Sequence, residues 1–372
     1  MSVALQAREV AEKLRPTASE FDRERRFPAE HFEILAGAGL LGLLVPKEHG
    51  GLGGGLADLA AACEAVGWAS GSTGLCFLMH CCGTAVIGAK ATPDQAARWL
   101  PAAATGETLA TLAFSERATG AHFYSPEIKA ERRNGSYTLS GRKSFVTSGG
   151  HARLYPVLVQ APGAEGLDVL VVTPDLEGVS FQGSWDGIGM TGNSSIEMNL
   201  DGVSVPGDHL IGKEGDGVEL VFNVVAPTFL VGLAALNVGL AQAALEASIE
   251  HATARKHPGG QSLAEVPAIQ IHLAEMGQQT EAARALVGRA AAAGDGADSS
   301  AVPLVMQAKV FATEAAIDVT NIGMQVCGGQ GYTRSLPIER YWRDARAGAV
   351  MAPTNDVLKE WVGKILAGLP LF

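Results

Sequence analysis

The sequence is poor in charge and in aromatic residues: of 372 residues, 18% are Asp, Glu, Lys or Arg and 6% are Phe, Trp or Tyr. Basic residues are the scarcer sign, 28 Lys+Arg against 39 Asp+Glu, for a net charge of −11. A nucleic-acid binder carries a basic patch on a basic domain, so this balance argues against one. Little charge together with 47% hydrophobic residues is the reverse of a disordered composition. Cysteine is sparse as well. Cys63, Cys76, Cys81, Cys82 and Cys327 are odd in number and form no CxxC pair, which excludes a disulfide framework and a structural zinc site. They read as free core thiols in a reducing compartment. No GxxxxGK[ST], GxSxG or HExxH string occurs, and the nine histidines are scattered, so no metal site is expected. The glycines of Gly50–Gly55 lack the strand–turn–helix setting of a dinucleotide fingerprint. Met1–Asp22 is charged and amphipathic rather than an apolar leader, and a cytoplasmic protein is expected. One charge-free run, Gly71–Ala89, approaches membrane-spanning length. Its Gly, Ser, Thr and Cys content, with His80, fits a helix buried on all sides better than a membrane span.

What is present falls into three blocks, and 372 residues suit two or three domains. Residues 1–106 read as an N-terminal α-helical domain: Val3–Leu14, His31–Leu41, Leu56–Trp68, Gly71–Ala89 and Asp94–Leu100 carry apolar residues at helical spacing. Residues 107–213 change character. Thr108–Phe114, Glu127–Glu131, Tyr137–Leu139, Ser144–Thr147, Tyr155–Gln160, Asp168–Val172 and Ser195–Val205 read as strands, with turns at Asn134-Gly135, Ala164–Gly166, Asp201-Gly202 and Pro206-Gly207. Short strands at this spacing predict a compact β barrel or sandwich. Residues 214–372 return to helices, over Leu220–Ala254 with an interruption at Pro227, Ala264–Ala293, Ala301–Val326 and Thr354–Leu366, with a loop at Gly294–Ser300. The sum is an α+β fold with a C-terminal helical bundle.

Four strings in order give this layout a family resemblance. Phe27-Pro28, Gly39–Gly42 and Val45–Gly53 resemble the N-terminal signature of the acyl-CoA dehydrogenase family of flavoproteins. Ala113-Phe114-Ser115-Glu116 through Gly120 resembles its first flavin motif, Gly141–Gly150 the strand passing the isoalloxazine ring, and Gln325–Tyr332, with Arg340 and Asp344 downstream, its second motif. The resemblance implies an FAD enzyme with an N-terminal helical domain, a middle β domain and a four-helix bundle. It implies cofactor contacts from Phe114, Ser115, Gly120, Ala121, Phe145, Thr147 and Thr354. From a surface shared between subunits it implies Arg255, Gln325, Gly328 and Gly329. The chemistry is consistent, since a flavin needs hydroxyl donors, an aromatic face and closely approaching glycine backbone. The implied partners are an acyl-CoA or acyl-carrier-protein thioester, an electron-accepting flavoprotein and further copies of the chain as a homodimer or homotetramer. A heteromeric assembly is the variant, and fatty acid metabolism the implied setting.

The sequence departs from the pattern where the family keeps its catalytic glutamate. The resemblance places Ala352 at one base position and Phe229 at the other, with Leu230 where an arginine commonly follows. Neither side chain accepts a proton. His122, Asp356 and Glu219 are the nearest candidates by alignment; Asp356 is also favoured as a first-turn carboxylate, and Glu219 reads as a solvated face residue. Arg117, Thr119, Ala121 and His122 replace the usual flavin-motif residues, and Pro258 and Pro267 stand where a phenylalanine and a glutamine often help hold FAD. The resemblance therefore implies α,β-dehydrogenation with hydride transfer to flavin N5. A monooxygenase of the same fold, an elimination catalyst and a non-catalytic subunit of a heteromeric dehydrogenase are its alternatives.

Overall fold

The computed structural model describes residues 2–163, 166–298 and 300–371. Ala164 and Glu165 of the expected turn, and Ser299 of the expected loop, lie outside the described residues. The N-terminal helices are α1 (Val3–Leu14), α2 (Ala18–Glu24), α3 (Ala29–Gly37), α4 (Leu56–Ala69), α5 (Gly71–Lys90) and α6 (Pro93–Thr105). Their starts follow local chemistry. The Ser2 hydroxyl accepts from Leu5 N–H, and the Ser70 hydroxyl from Thr73 N–H. Thr92 and Gln95 form a reciprocal capping box, with Pro93 in the first turn of α6. The expected helix His31–Leu41 ends earlier, at Gly37, because Gly39 takes a left-handed conformation and starts a 3₁₀ turn at Leu40–Gly42.

The strands are β1 (Glu131–Arg133), β2 (Ser136–Val146), β3 (Tyr155–Gln160), β4 (Leu167–Val172), β5 (Val179–Gln182) and β6 (Ile196–Pro206). Antiparallel pairing gives a four-stranded sheet in the order β1-β2-β6-β5 and a separate β3-β4 pair. Tyr137 faces Val205 and Tyr155 faces Val172. The two faces of β3-β4 serve two cores. Val157, Val159, Leu170 and Val172 pack into the sheet core, whereas the alternating Leu158, Val169 and Val171 pack into the helical core. That double burial explains why both strands read as continuous apolar runs. Several expectations fail here. Glu127–Glu131 is a strand only at Glu131, with Lys129 making a single bridge to Gln160. The expected strands Tyr137–Leu139 and Ser144–Thr147 are parts of the one strand β2, which ends at Val146. Asp201-Gly202 is no turn but lies inside β6, at the irregularity opposite Leu139 and Gly141. Thr108–Phe114 is not a strand; it makes only single bridges, Ala110 to Leu154 and Ala113 to Val157. The half-buried β5 escaped notice because Val179–Gln182 has too few apolar residues to signal a strand.

The C-terminal part contains α7 (Gly217–Glu219), a π-helical turn Leu220–Val225, α8 (Ala226–Ala254), α9 (Pro267–Asp295), α10 (Ala301–Gly331), α11 (Ile338–Val350) and α12 (Asn355–Leu366). Pro227 does not interrupt the helix as expected. It lacks an N–H for the carbonyl four residues back, and the chain widens into the π turn just before it, with Ala226 N–H bonded to Val221 O. The sequence also concealed α2 and α11, which are short and strongly charged. Gly67 of α4 and Gly239 of α8 let these two helices touch: a Cβ on Gly67 would lie 2.6 Å from Leu236 O, and one on Gly239 would overlap Glu64 O. Helix α5 and the run Gly217–Ala254 are long and apolar enough to span a membrane, but 83% and 78% of their most apolar windows are buried inside the protein. All five cysteines are free and buried.

His80 joins the N-terminal helices to the start of the β region. Ala110 N–H donates to its Nδ1 at 3.1 Å, so the ring must be neutral, with Nε2–H donating to Leu41 O at 2.9 Å. Burial lowers its pKa to about 4, against the usual 6.5, opposed by the bond to Leu41 O. A depressed histidine pKa gives the fold stability that is complete above 6.5 and lost as pH falls towards 4. Acid titration should therefore remove about 3 kcal/mol through this site. His80→Gln should remove that pH-dependent share, read from denaturant unfolding at the two ends of the window.

Candidate functional site

The main cavity, about 610 Å³, opens where the β region meets the helices. One wall is β2 and the segment crossing it. Strand β2 pairs with β6 through two irregularities, the second between Lys143 and Val146. That bulge leaves Phe145 with φ 54° and 66% exposed, on the cavity wall. A bulky non-glycine residue in the left-handed region is strained, and such strain collects at functional sites. The Trp185 ring stands edge-on to Phe145, with centroids 6.2 Å apart. Ser144 N–H donates to Ser115 O at 2.8 Å, bringing Phe114 and Ser115 beside the bulge. The Thr147 and Ser195 hydroxyls are 2.9 Å apart, and Thr147 O accepts from the Thr111 hydroxyl.

A buried ion pair underlies this wall. Lys143 Nζ, fully buried, donates to Glu116 Oε1 at 2.6 Å, Phe114 O at 3.2 Å and Leu158 O at 2.5 Å. Glu116 also accepts from the Glu127 and Ile128 N–H groups. Burial pulls the Lys143 pKa down to about 8, against the opposing pull of Glu116. The remaining loop, Trp185–Met190, is tied from behind. Arg25 donates to the Trp185 and Gly187 carbonyls; Arg343, paired to Asp22 at 2.6 Å, donates to Ile188 O. Asp344 accepts from Met190 N–H at 2.5 Å, and burial raises its pKa to about 6.

The opposite wall is helical. Val225, Ala226 and Phe229 come from the π turn and the start of α8, and Met351, Ala352, Pro353 and Thr354 from the strap between α11 and α12. The two expected base positions thus both face the cavity, and neither holds a carboxylate. Among the described residues the sole carboxylate lining it is Glu116, already committed to Lys143 and two backbone N–H groups. Arg117 is paired with Glu197, and Arg343 with Asp22 and Glu339. Arg346 lines the cavity with no ion pair or hydrogen bond among the described residues.

Of the residues expected at a cofactor, Phe114, Ser115, Gly120, Ala121, Phe145, Thr147 and Thr354 line this cavity together. Gln325, Gly328 and Gly329 line a separate surface depression with His272, Asn321 and Tyr332. Arg255 lies at the exposed end of α8 and lines neither. His122 and Asp356 are exposed and outside both; Glu219 pairs with Lys90 at 2.6 Å on the surface. Trp185, Met190, Asn193, Ser195 and Arg346 had not been expected. A tryptophan among the glycines of 183–192 was the one available signal.

The cavity fits a flavin on a specific observation. Ser144 lines it, and its Oγ is buried just behind the wall without a hydrogen-bond partner among the described residues, an unmet polar group beside which the polar edge of a ring would fit. Beside it stand two hydroxyls and an exposed aromatic face.

Three family models match the chain in succession: the acyl-CoA dehydrogenase N-terminal domain over residues 3–107, the middle domain over 111–203 and the C-terminal domain over 230–367. The chain is similar to the probable acyl-CoA dehydrogenase fadE25 of Mycobacterium leprae, 32% identical over 366 residues covering 96% of this chain and 93% of that one. Its fold is similar to that of butyryl-CoA dehydrogenase from Megasphaera elsdenii, with TM-score 0.92, 26% identity and coverage of 98% and 97%. A structure described as the electron transferring flavoprotein of Acidaminococcus fermentans is also similar, with TM-score 0.93, 28% identity and coverage of 98% and 96%.

Proposed function

The chain belongs to the acyl-CoA dehydrogenase family, and from that premise we propose that it is an FAD enzyme oxidising an acyl thioester between its α and β carbons. The observation carrying this reading is the cavity, in which the flavin-type wall of Ser115, Ser144, Phe145 and Thr147 faces the strap of Ala352 and Thr354 across about 610 Å³. When bound, a flavin supplies a hydride acceptor for the β-carbon. The chain's own residues do the rest. Ser115 and Thr147, with Ser144 behind them, would hold the polar edge of the ring, and Phe145 with Trp185 would shield it from water. Leu75, Met79, Leu112 and Phe229 give an apolar surface to an acyl chain.

FAD, rather than a shorter flavin, is supported by the second depression at Gln325, Gly328 and Gly329, where side-chain-free backbone suits a diphosphate. Because that depression is separate from the main cavity, the reading includes a homodimer or homotetramer in which one copy completes the other's cofactor site. Reoxidation falls to a separate electron-carrying flavoprotein. Purified protein should be yellow or become so with FAD, and anaerobic acyl-CoA should bleach it. A preparation that takes up no flavin overturns the reading.

A further inference from the structure

We infer that Lys309 is a positioning residue for the substrate-facing strap: from inside the helical bundle its ammonium holds two strap carbonyls and the first residue of α12, and so sets where Ala352 and Thr354 stand in the cavity. Lys309, on α10, is fully buried, yet among the described residues no carboxylate pairs with it. Its Nζ donates to Met351 O at 3.3 Å, Pro353 O at 3.0 Å and Asn355 Oδ1 at 2.9 Å. Three donors meet three acceptors. Two of these are the carbonyls on either side of Ala352, and Met351, Ala352, Pro353 and Thr354 all line the cavity. Asn355 is itself oriented, its Nδ2 donating to Thr313 Oγ1 at 3.0 Å. The Thr354 hydroxyl caps α12, so the strap is fixed at its far end too. A buried lysine in a structural role ordinarily finds a carboxylate. Here the charge is spent on backbone that shapes the reaction cavity.

The device depends on the proton. Burial lowers the Lys309 pKa to about 7, opposed by the field of Glu314. Glu314 lies further along α10 and is occupied by Lys359 of α12, while the strap presents neutral carbonyls, and Asn355 and Thr313 are neutral. A neutral amine has two N–H donors for three acceptors, so one strap bond is lost as pH rises through about 7.

The inference rests on the cavity taking an acyl thioester, and the test separates the two. Steady-state kinetics of the flavin-loaded enzyme should use an acyl-pantetheine, which has no phosphate to titrate, between about pH 6 and pH 9. The wild-type KM should rise about three- to tenfold across that range, with kcat changing less, the scale of one lost hydrogen bond. Lys309→Met, without donors, should show the raised KM at both pH values; Lys309→Arg, charged throughout, should show a flat and low KM. Lys309→Met with the wild-type KM and pH profile overturns the inference. Amide exchange of residues 351–357 in the wild-type protein needs neither variant nor substrate. It should quicken with pH beyond the intrinsic increase seen at the loop 332–337, and equal increases overturn the inference. If no acyl thioester bleaches the flavin while exchange behaves as expected, it is the substrate reading that fails.

Discussion

Ala352→Glu should speed anaerobic bleaching of the flavin by an acyl-CoA about 100- to 10,000-fold, the usual worth of a positioned general base. Removing hydride from the β-carbon requires that the α-carbon give up a proton. In the wild-type cavity the side chains facing the substrate space are apolar, hydroxylic, amide or guanidinium groups, and the single carboxylate among the described residues, Glu116, is saturated by Lys143 and two N–H donors. Ala352 sits on the strap clamped by Lys309, so a carboxylate there would start from a fixed backbone. The rate gained should increase with pH as the new carboxyl ionises. Ala352→Gln, of the same size without basicity, is the control. Equal bleaching rates for the wild type and both variants, in stopped-flow mixing of flavin-loaded protein, would show that proton removal does not limit the reaction.

Lys143→Met should cost about 3–5 kcal/mol of stability and release the flavin, because it leaves Glu116 charged, buried and without its cation. The loss has a local address. The Lys143 ammonium holds Phe114 O and Leu158 O as well, joining the first flavin-motif segment to β3 and to the bulge that projects Phe145. Glu116→Gln in the same chain should recover part of the stability by removing the orphaned charge, but not the flavin, since the segment remains untied. Denaturant unfolding and the flavin-to-protein absorbance ratio measure the two effects separately. A stability change below about 1 kcal/mol would mean that the pair is replaceable by packing.

How much of this was legible in the sequence depends on range. Helices α1, α4, α9 and α12 were readable because apolar residues recur at helical spacing within one element, and α5 because its charge-free run is continuous. So were β3 and β4, whose apolar runs reflect burial on both faces. Helix α11 was not, since Ile338–Val350 interleaves buried and half-buried charged residues whose placement depends on distant partners, Arg343 pairing with Asp22 as well as with its neighbour Glu339. The segment Thr108–Phe114 had the residues of a strand but meets the chain at the start of β3 only through the single bridges Ala110 to Leu154 and Ala113 to Val157.

The sequence by itself determined the family, the order of helical and β blocks, and that positions 229 and 352 hold no carboxylate, because these are properties of residue identity and near-neighbour spacing. Tertiary structure decided everything that needs two distant segments to meet. It set which cofactor-type residues share a cavity and which sit apart at 325–329, and it gave Ser144 an unpartnered hydroxyl, Phe145 a strained outward ring, and Glu116 and Lys309 partners that spend their charges. Burial and hydrogen bonding fix the protonation and direction of a side chain, and neither is written in the chain until its distant neighbours have packed against it.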